Sequence, residues 1–255
     1  MINHLSFVTL FPELIRAGLG YGITGRALEK GLAKLSTANP RDHGLGNYRQ
    51  VDDQAYGGGP GMVMMLEPLI KAIDTLKNKN SVLIMPSPTG SPFTAKATAD
   101  LAKKRDLLFI CGRYEGIDER LKQFYPILEY AIGDFVVSGG ELPALMMADS
   151  IIRRIPGAVG NQASVGADSH EQGYFDHPHY TRPEELGRIS VPAVLLSGAH
   201  RSIASWRQAQ ALRRTWQKRP ELLARVNLNS EEQAILGSAL FGAKENEYVD
   251  ANRTS

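Results

Sequence analysis

Ser81-Val-Leu-Ile-Met-Pro86 and Leu107-Leu-Phe-Ile-Cys111 are two short, unbroken apolar runs, and the stretch between them, Pro92 to Asp106, is rich in Ala and Lys. Unbroken apolarity over five or six residues is the pattern of a strand buried on both faces. The intervening stretch has the residue types and length of a crossover helix. Strand, helix and strand in that order predict a parallel pair inside an α/β domain. A third apolar run, Ile127 to Ile132, is followed by a glycine-bearing loop and a helical pattern from Glu141 to Ile155. Upstream, Ile2 to Leu10 is apolar and β-branched, and Pro12 and Glu13 open a helical stretch. The fold class expected is therefore α/β with a mostly parallel sheet.

Beyond Pro156 the texture changes. Gly157 to Gly173 is small and polar, without an apolar period, and reads as a linker or mobile loop. After it the pattern turns helical. Thr181 with Glu184, and Ser230 with Gln233, have capping-box spacing, and Pro183 and Pro220 stand where helices tend to begin. Ile203, Trp206, Ala209, Leu212 and Trp216 recur every three or four positions and predict the core stripe of a helix over Arg201–Trp216. Arg207, Arg214 and Lys218, spaced seven and four apart, share a different face. The chain shows no internal repeat. The expected organisation is an α/β domain over 1–156, a linker over 157–172 and a smaller helical domain over 173–255.

The chain has 255 residues, 43% hydrophobic and 22% charged, the range of an ordinary folded domain. No apolar stretch approaches the roughly 18 residues a membrane helix needs. Met1 to Glu13 carries no Lys or Arg ahead of its apolar residues and so does not read as a secretory signal. A single cysteine, Cys111, excludes an internal disulfide framework and a multi-cysteine zinc site. A cytoplasmic protein is expected. The formal net charge is only +2, but Arg201 to Arg225 holds seven Lys and Arg residues against Glu221 alone. A basic island on a near-neutral chain points to a localised anionic partner, nucleic acid first, with a solvated helix face as the plainer alternative.

Gly20, Gly22 and Gly25 match the dinucleotide fingerprint, but Glu13 to Gly18 looks helical where that motif needs a strand. The glycines are expected to end one helix, with Thr24 capping the next. Asp176, His177 and His179 could be drawn as a metal cluster, yet a hydrogen-bonded loop accounts for them better. Cys111 is expected to be a small buried residue. Four glycine-bearing segments resist a bland reading: Tyr56–Gly61, Ser87–Gly90, Gly112–Gly116 and Ile132–Glu141. The last three directly follow the predicted strands. In an open parallel sheet, ligands sit outside the carboxyl ends of the strands, and bare glycine backbone lets main-chain amides reach them.

At these residues the sequence resembles a known family. Tyr56–Met62 (YGGGPGM), Cys111–Arg120 (CGRYEGIDER), Ile132–Pro143 (IGDFVVSGGELP) and His179–Pro183 (HYTRP) are similar to the bacterial tRNA (guanine-N1)-methyltransferase family TrmD, of the SPOUT class. The resemblance runs from Phe7–Pro12 to the basic helix, with Arg213–Trp216 and Arg219–Leu223 inside it. It implies methyl transfer from S-adenosylmethionine to N1 of the guanosine immediately 3′ of the tRNA anticodon, maintaining the reading frame. It also implies a deep trefoil knot, against general topology rules, and a homodimer with active sites at the subunit interface. By resemblance, the donor is held by Pro86, Ser87, Pro88, Gly112, Tyr114, Gly116, Ile132, Gly133, Asp134, Phe135, Val136, Val137, Ser138, Gly139, Gly140 and Pro143. Asp168 matches the general base, Arg153 its supporting cation, and Glu115 with the Gly58 backbone the readers of guanine. Ser169 stands beside Asp168 as a helper, and Arg207, Arg214, Lys218 and Arg219 are expected on phosphates of the anticodon stem-loop.

The chemistry asks for such groups. Guanine N1 is protonated and becomes nucleophilic only when a base removes that proton, leaving negative charge over N1 and O6. The resemblance also implies a need for Mg²⁺, for which no ligand cluster stands out in the sequence. Gln54-Ala55 stands where the family usually has Arg-Pro, Thr89 where Gln is usual, and Phe135 where Tyr is common; Ala199 and Arg201 also differ around His200. Two other functions compete: a catalytically silent RNA-binding protein using the basic helix, and a nucleotide-dependent oxidoreductase resting on Gly20–Gly25.

Overall fold

The structure is a computed structural model and describes residues 4–241. Ile2 and Asn3 of the expected first strand, and residues 242–255 of the expected helical domain, lie outside them. The chain divides into two compact units, Met1–Gln162 and Ala163–Ser255.

The first unit is built on a five-stranded sheet. Its strands are β1 (His4–Val8), β2 (Lys34–Ala38), β3 (Ser81–Pro92), β4 (Asp106–Ile110) and β5 (Ile127–Ala131), in spatial order β2-β1-β4-β3-β5. All four pairings are parallel. β4 is buried at every position: Leu107–Ile110 as their unbroken apolarity predicts, and Asp106 because its carboxylate accepts from Asn78 and Ser81; the apolar side chains alternate between two cores. Leu107 and Phe109 join Leu5, Phe7 and Ile84 on one face, where Phe7 and Phe109 stack with ring centroids 4.9 Å apart. Leu108 and Ile110 join Val8 and Leu83 on the other. Helices cover both faces. The Ile15 and Leu19 side of α1 (Pro12–Leu19) and the Ala144, Met147, Ala148 and Ile151 side of α5 (Glu141–Ile152) close the first core. Leu69, Ala72 and Ile73 of α3 (Leu66–Leu76) close the second. The predicted crossover helix is α4 (Ala95–Ala102), with Thr94 as its cap, accepting from the Ala97 amide at 3.3 Å.

Several local expectations are corrected. Ser87–Gly90 is not a loop beyond β3 but an irregularity within it, where the register with β5 shifts between Pro86 and Ser91. The helix after Gly20, α2 (Gly22–Glu29), is capped by Tyr21; Thr24 lies inside it, its hydroxyl donating to the Tyr21 carbonyl at 2.9 Å. The expected linker holds a six-residue helix, Gln162–Ala167, and Ala158 belongs to the first core.

In the second unit, Thr181 to Glu184 starts no helix. It leads into a small hairpin, Glu185–Leu186 against Ile189–Ser190, whose two-residue strands use the turn at Gly187. The long helix is α6 (His200–Lys218), but its wholly buried side is Ala211, Leu212 and Thr215, while Trp216 is 47% exposed. A threonine can stand there because its hydroxyl donates to the Ala211 carbonyl at 2.8 Å and accepts from the Phe175 amide at 2.9 Å. The cap of α7 (Ser230–Phe241) forms one residue before the predicted pair. Asn229 and Glu232 exchange two backbone-to-side-chain hydrogen bonds at 2.9 Å each.

Candidate active site

One cavity opens at the carboxyl ends of β4 and β5, beside the irregular stretch within β3. Its wall is Pro86–Pro88, Gly112–Gly116, Tyr130–Gly133, Phe135–Gly140 and Pro143. The two loops that follow β4 and β5 thus converge as open-sheet topology requires, and the irregular stretch inside β3 joins them. Of the donor contacts expected from the resemblance, all but Asp134 line this wall; Asp134 is exposed to solvent. Glu115, expected as a guanine reader, lies on the same wall. Arg113, Tyr130 and Ala131 line it too and were not expected. Tyr130 and Ala131 close the third apolar run directly before Ile132, so the rim could have been read as starting there.

The wall is shaped by backbone. The Gly140 amide donates to the Gly112 carbonyl at 2.8 Å, joining two of the loops. A Cβ on Gly140 would stand 2.9 Å from Cys111 Cα and the Gly112 amide nitrogen, too close for backbone that cannot swing away. Gly140→Ala should therefore part the loops and weaken binding in the cavity by about tenfold or more, read by calorimetry with S-adenosylmethionine, the donor that the resemblance implies. Tyr114 holds φ at +60°, a strained region for a residue with a bulky side chain. Partial burial, then a hydrogen bond to Asp52, keep its phenol protonated above the usual tyrosine range. Cys111 is wholly buried, and burial pushes its thiol well up, so it is an inert packing residue.

Beside this wall lies the Gly57–Gly61 loop. The short ladder Asp52–Asp53 with Val63–Met64 carries it. The Glu115 amide donates to the Met62 carbonyl, and the Met64 amide to the Gly116 carbonyl, both at 2.9 Å. Gly61, at φ +85°, leaves space that the Glu115 side chain fills. Gly58, exposed and at φ +76°, does not line the cavity. Arg153 caps the end of α5, half-buried, its amide donating to the Asp149 carbonyl at 3.1 Å.

In the second unit, Asp168 directly follows the Gln162–Ala167 helix and is half-buried. It lines a cavity with Tyr174, Asp176, His177 and Arg207. The Ser169 hydroxyl accepts from the Asp176 amide at 3.0 Å, tying the segment after Asp168 to the next turn. Asp176, His177 and His179 bring ligating atoms within 4.8 Å of one another. They are engaged with each other: His179 Nε2 donates to Asp176 Oδ2 at 2.8 Å, and the His177 amide to Oδ1 at 2.7 Å. Burial raises the Asp176 carboxyl, but those bonds outweigh it and hold the group below its usual range. Arg207, Arg214 and Lys218 are exposed along α6, and Arg219, just past its end, pairs with Glu221.

Fold and site together define an α/β protein with a ligand crevice at the carboxyl edge of a parallel sheet and a separate unit bearing an exposed basic helix. A family model described as tRNA (Guanine-1)-methyltransferase TrmD matches residues 3–225. The tRNA (guanine-N(1)-)-methyltransferase of Shewanella halifaxensis is 48% identical over 246 residues, covering 95% of this chain and 99% of that protein. Proteins of the same name from Shewanella loihica and Vibrio campbellii are 49% and 48% identical, covering 95% and 90% of this chain and 99% and 94% of theirs. This chain belongs to the TrmD family.

Proposed function

We propose that this chain transfers a methyl group from S-adenosylmethionine to N1 of the guanosine immediately 3′ of the anticodon in tRNA. The observation that carries this reading is the convergence of two glycine-bearing loops and the irregular Pro86–Pro88 stretch of β3 on one cavity, in a chain of the TrmD family. The cavity suits an adenosyl group. Its wall offers flat contacts from Phe135, Val137 and Pro143 and main chain free of side-chain bulk at Gly112, Gly139 and Gly140. The donor, when bound, supplies a methyl group already activated on a sulfonium, so the protein's remaining work is positioning and proton removal.

In this reading the Asp168 carboxylate takes the proton from guanine N1, with Ser169 helping to place it. Arg153 supports the carboxylate and the charge developing over N1 and O6. Glu115 and the Gly58 backbone read the guanine edge, which must leave its stack to reach them. Arg207, Arg214, Lys218 and Arg219 hold phosphates of the anticodon stem-loop, fixing register more than sequence. The proposal extends to a SPOUT-type trefoil-knotted donor domain over 1–156, a linker over 157–172, an RNA-binding domain over 173–255, and a cytoplasmic homodimer with interfacial active sites. Any Mg²⁺ would arrive with the donor and the RNA.

The test is mass spectrometry of nucleosides after incubating protein, S-adenosylmethionine and an unmodified tRNA transcript. 1-Methylguanosine is expected, and none from a transcript whose target guanosine is replaced. Bound tRNA without 1-methylguanosine would favour the silent RNA-binding protein instead.

A further inference from the structure

Glu141 is a charged residue with no exposure at all, an arrangement that needs partners to exist. It has them. Oε1 accepts from the Thr9 hydroxyl at 2.7 Å, and Oε2 from Arg113 Nε at 2.8 Å. Thr9 in turn accepts from the Phe11 amide at 2.9 Å. The Arg113 guanidinium lies 4.5 Å from the centre of the Phe11 ring, and its Nη1 donates to the Ser138 carbonyl at 3.1 Å. These contacts close a circuit through the segment after β1, the loop after β4 and the loop after β5. Two of those three segments are walls of the cavity.

The first turn of α5 would favour a carboxylate through the helix dipole, but that effect requires neither Arg113 nor burial. Nor does stability explain it, since a buried ion pair can often be replaced by apolar residues without loss. What the circuit does supply is geometry. Arg113 sits between Gly112 and Tyr114, both on the wall, and cannot shift without moving them. Its fork is aimed at once by a fixed carboxylate and by the carbonyl of the opposite loop.

We propose that Glu141 is a positioning residue for the methyl donor: anchored by Thr9, it acts through Arg113 to hold the Gly112–Gly116 loop at a fixed distance from Ser138. This rests on the donor-binding reading above. A glutamine at 141 keeps the shape but removes the charge: its Oε1 can accept from Arg113 and its amide can donate to the second lone pair of the Thr9 hydroxyl, so the circuit survives without the charge-assisted bond that aims Arg113. A lysine at 113 keeps the charge but cannot reach Glu141 and Ser138 in a fork.

Glu141→Gln and Arg113→Lys should each raise the Kd and KM for S-adenosylmethionine about tenfold, with kcat at saturating donor and the Kd for tRNA within about twofold of wild type. Thr9→Val, which removes only the anchoring hydroxyl, should move donor affinity the same way by a smaller factor. Thr9→Ser, which restores the hydroxyl, should return it to wild type. Calorimetry, filter binding and a melting curve on each variant separate the possibilities. Variants that melt earlier yet bind the donor as wild type does would reduce the circuit to a structural brace and overturn the proposal. If Glu141→Gln does not fold, Arg113→Lys and the Thr9 pair decide it alone. Wild-type protein that bound no donor would instead bring down the underlying reading, a result distinct from normal wild-type binding with indifferent variants.

Discussion

Asp168→Asn should slow methyl transfer by about 10²–10⁴, the span a positioned general base contributes, while S-adenosylmethionine binds within about twofold of wild type. Asparagine keeps the shape and hydrogen-bonding reach of aspartate but cannot take a proton. Asp168 directly follows a short helix, and the Glu171 amide donates to its carbonyl at 3.2 Å, so the backbone of this turn is set without the carboxylate. The residues that line the cavity at the sheet edge belong to the first unit, whereas Asp168 belongs to the second. The isosteric change is therefore expected to leave donor affinity where it was. Single-turnover methylation with enzyme in excess over tRNA reads the chemical step apart from product release. A rate near wild type would mean another group takes the N1 proton, and Asp168 would lose its role. A fall in donor affinity matching the fall in rate would point to disturbed structure rather than lost basicity.

The contrast between Asp168 and Glu141 shows what the sequence could and could not convey. Strands announced themselves wherever burial on both faces left an unbroken apolar run, as at Leu107–Cys111, because that pattern is local. The loops after Cys111 and Ile132 were legible for the same reason, but Gly90 misled: it stands at an irregularity inside β3, which pairs on to Pro92. Strand order was not. β4 lies between β1 and β3, and nothing within Leu107–Cys111 records which neighbours it takes. The Thr9–Glu141 bond spans 132 positions, so Glu141 read only as the start of a helix. The basic helix shows a subtler failure. Aromatic residues at helical spacing suggested a core stripe through Trp216, but Thr215, with its hydroxyl satisfied by Ala211 and Phe175, took the buried place. A side chain that can satisfy its own polar group locally is harder to place from its type alone. Likewise Thr181 to Glu184 had capping-box spacing, yet capping needs a helix to follow, and the chain turned into a hairpin.

Replacing Arg207 and Arg214 together by glutamine should weaken tRNA binding and flatten its dependence on salt. Each lost phosphate contact removes about 0.7–0.9 from the slope of log K against log salt, so the pair should reduce that slope by roughly 1.5 if both face the backbone. The two lie seven residues apart on α6 and so on one side of it, with Lys218 four further on. Both are exposed, which makes their removal cheap for folding. Arg219 is a poorer choice, because its guanidinium is already paired with Glu221. The two arginines need not contribute alike. Arg207 lines the cavity that Asp168 shares, whereas Arg214 lies outside its wall. Arg214→Gln alone should then lower affinity and salt slope with kcat intact, and Arg207→Gln should lower kcat as well. Filter binding over a salt series, with single-turnover rates at saturating tRNA, separates the two. An unchanged slope in the double variant would take α6 off the RNA backbone. Equal kcat values in the two single variants would leave Arg207 a phosphate contact like its neighbour, with no part in placing the base.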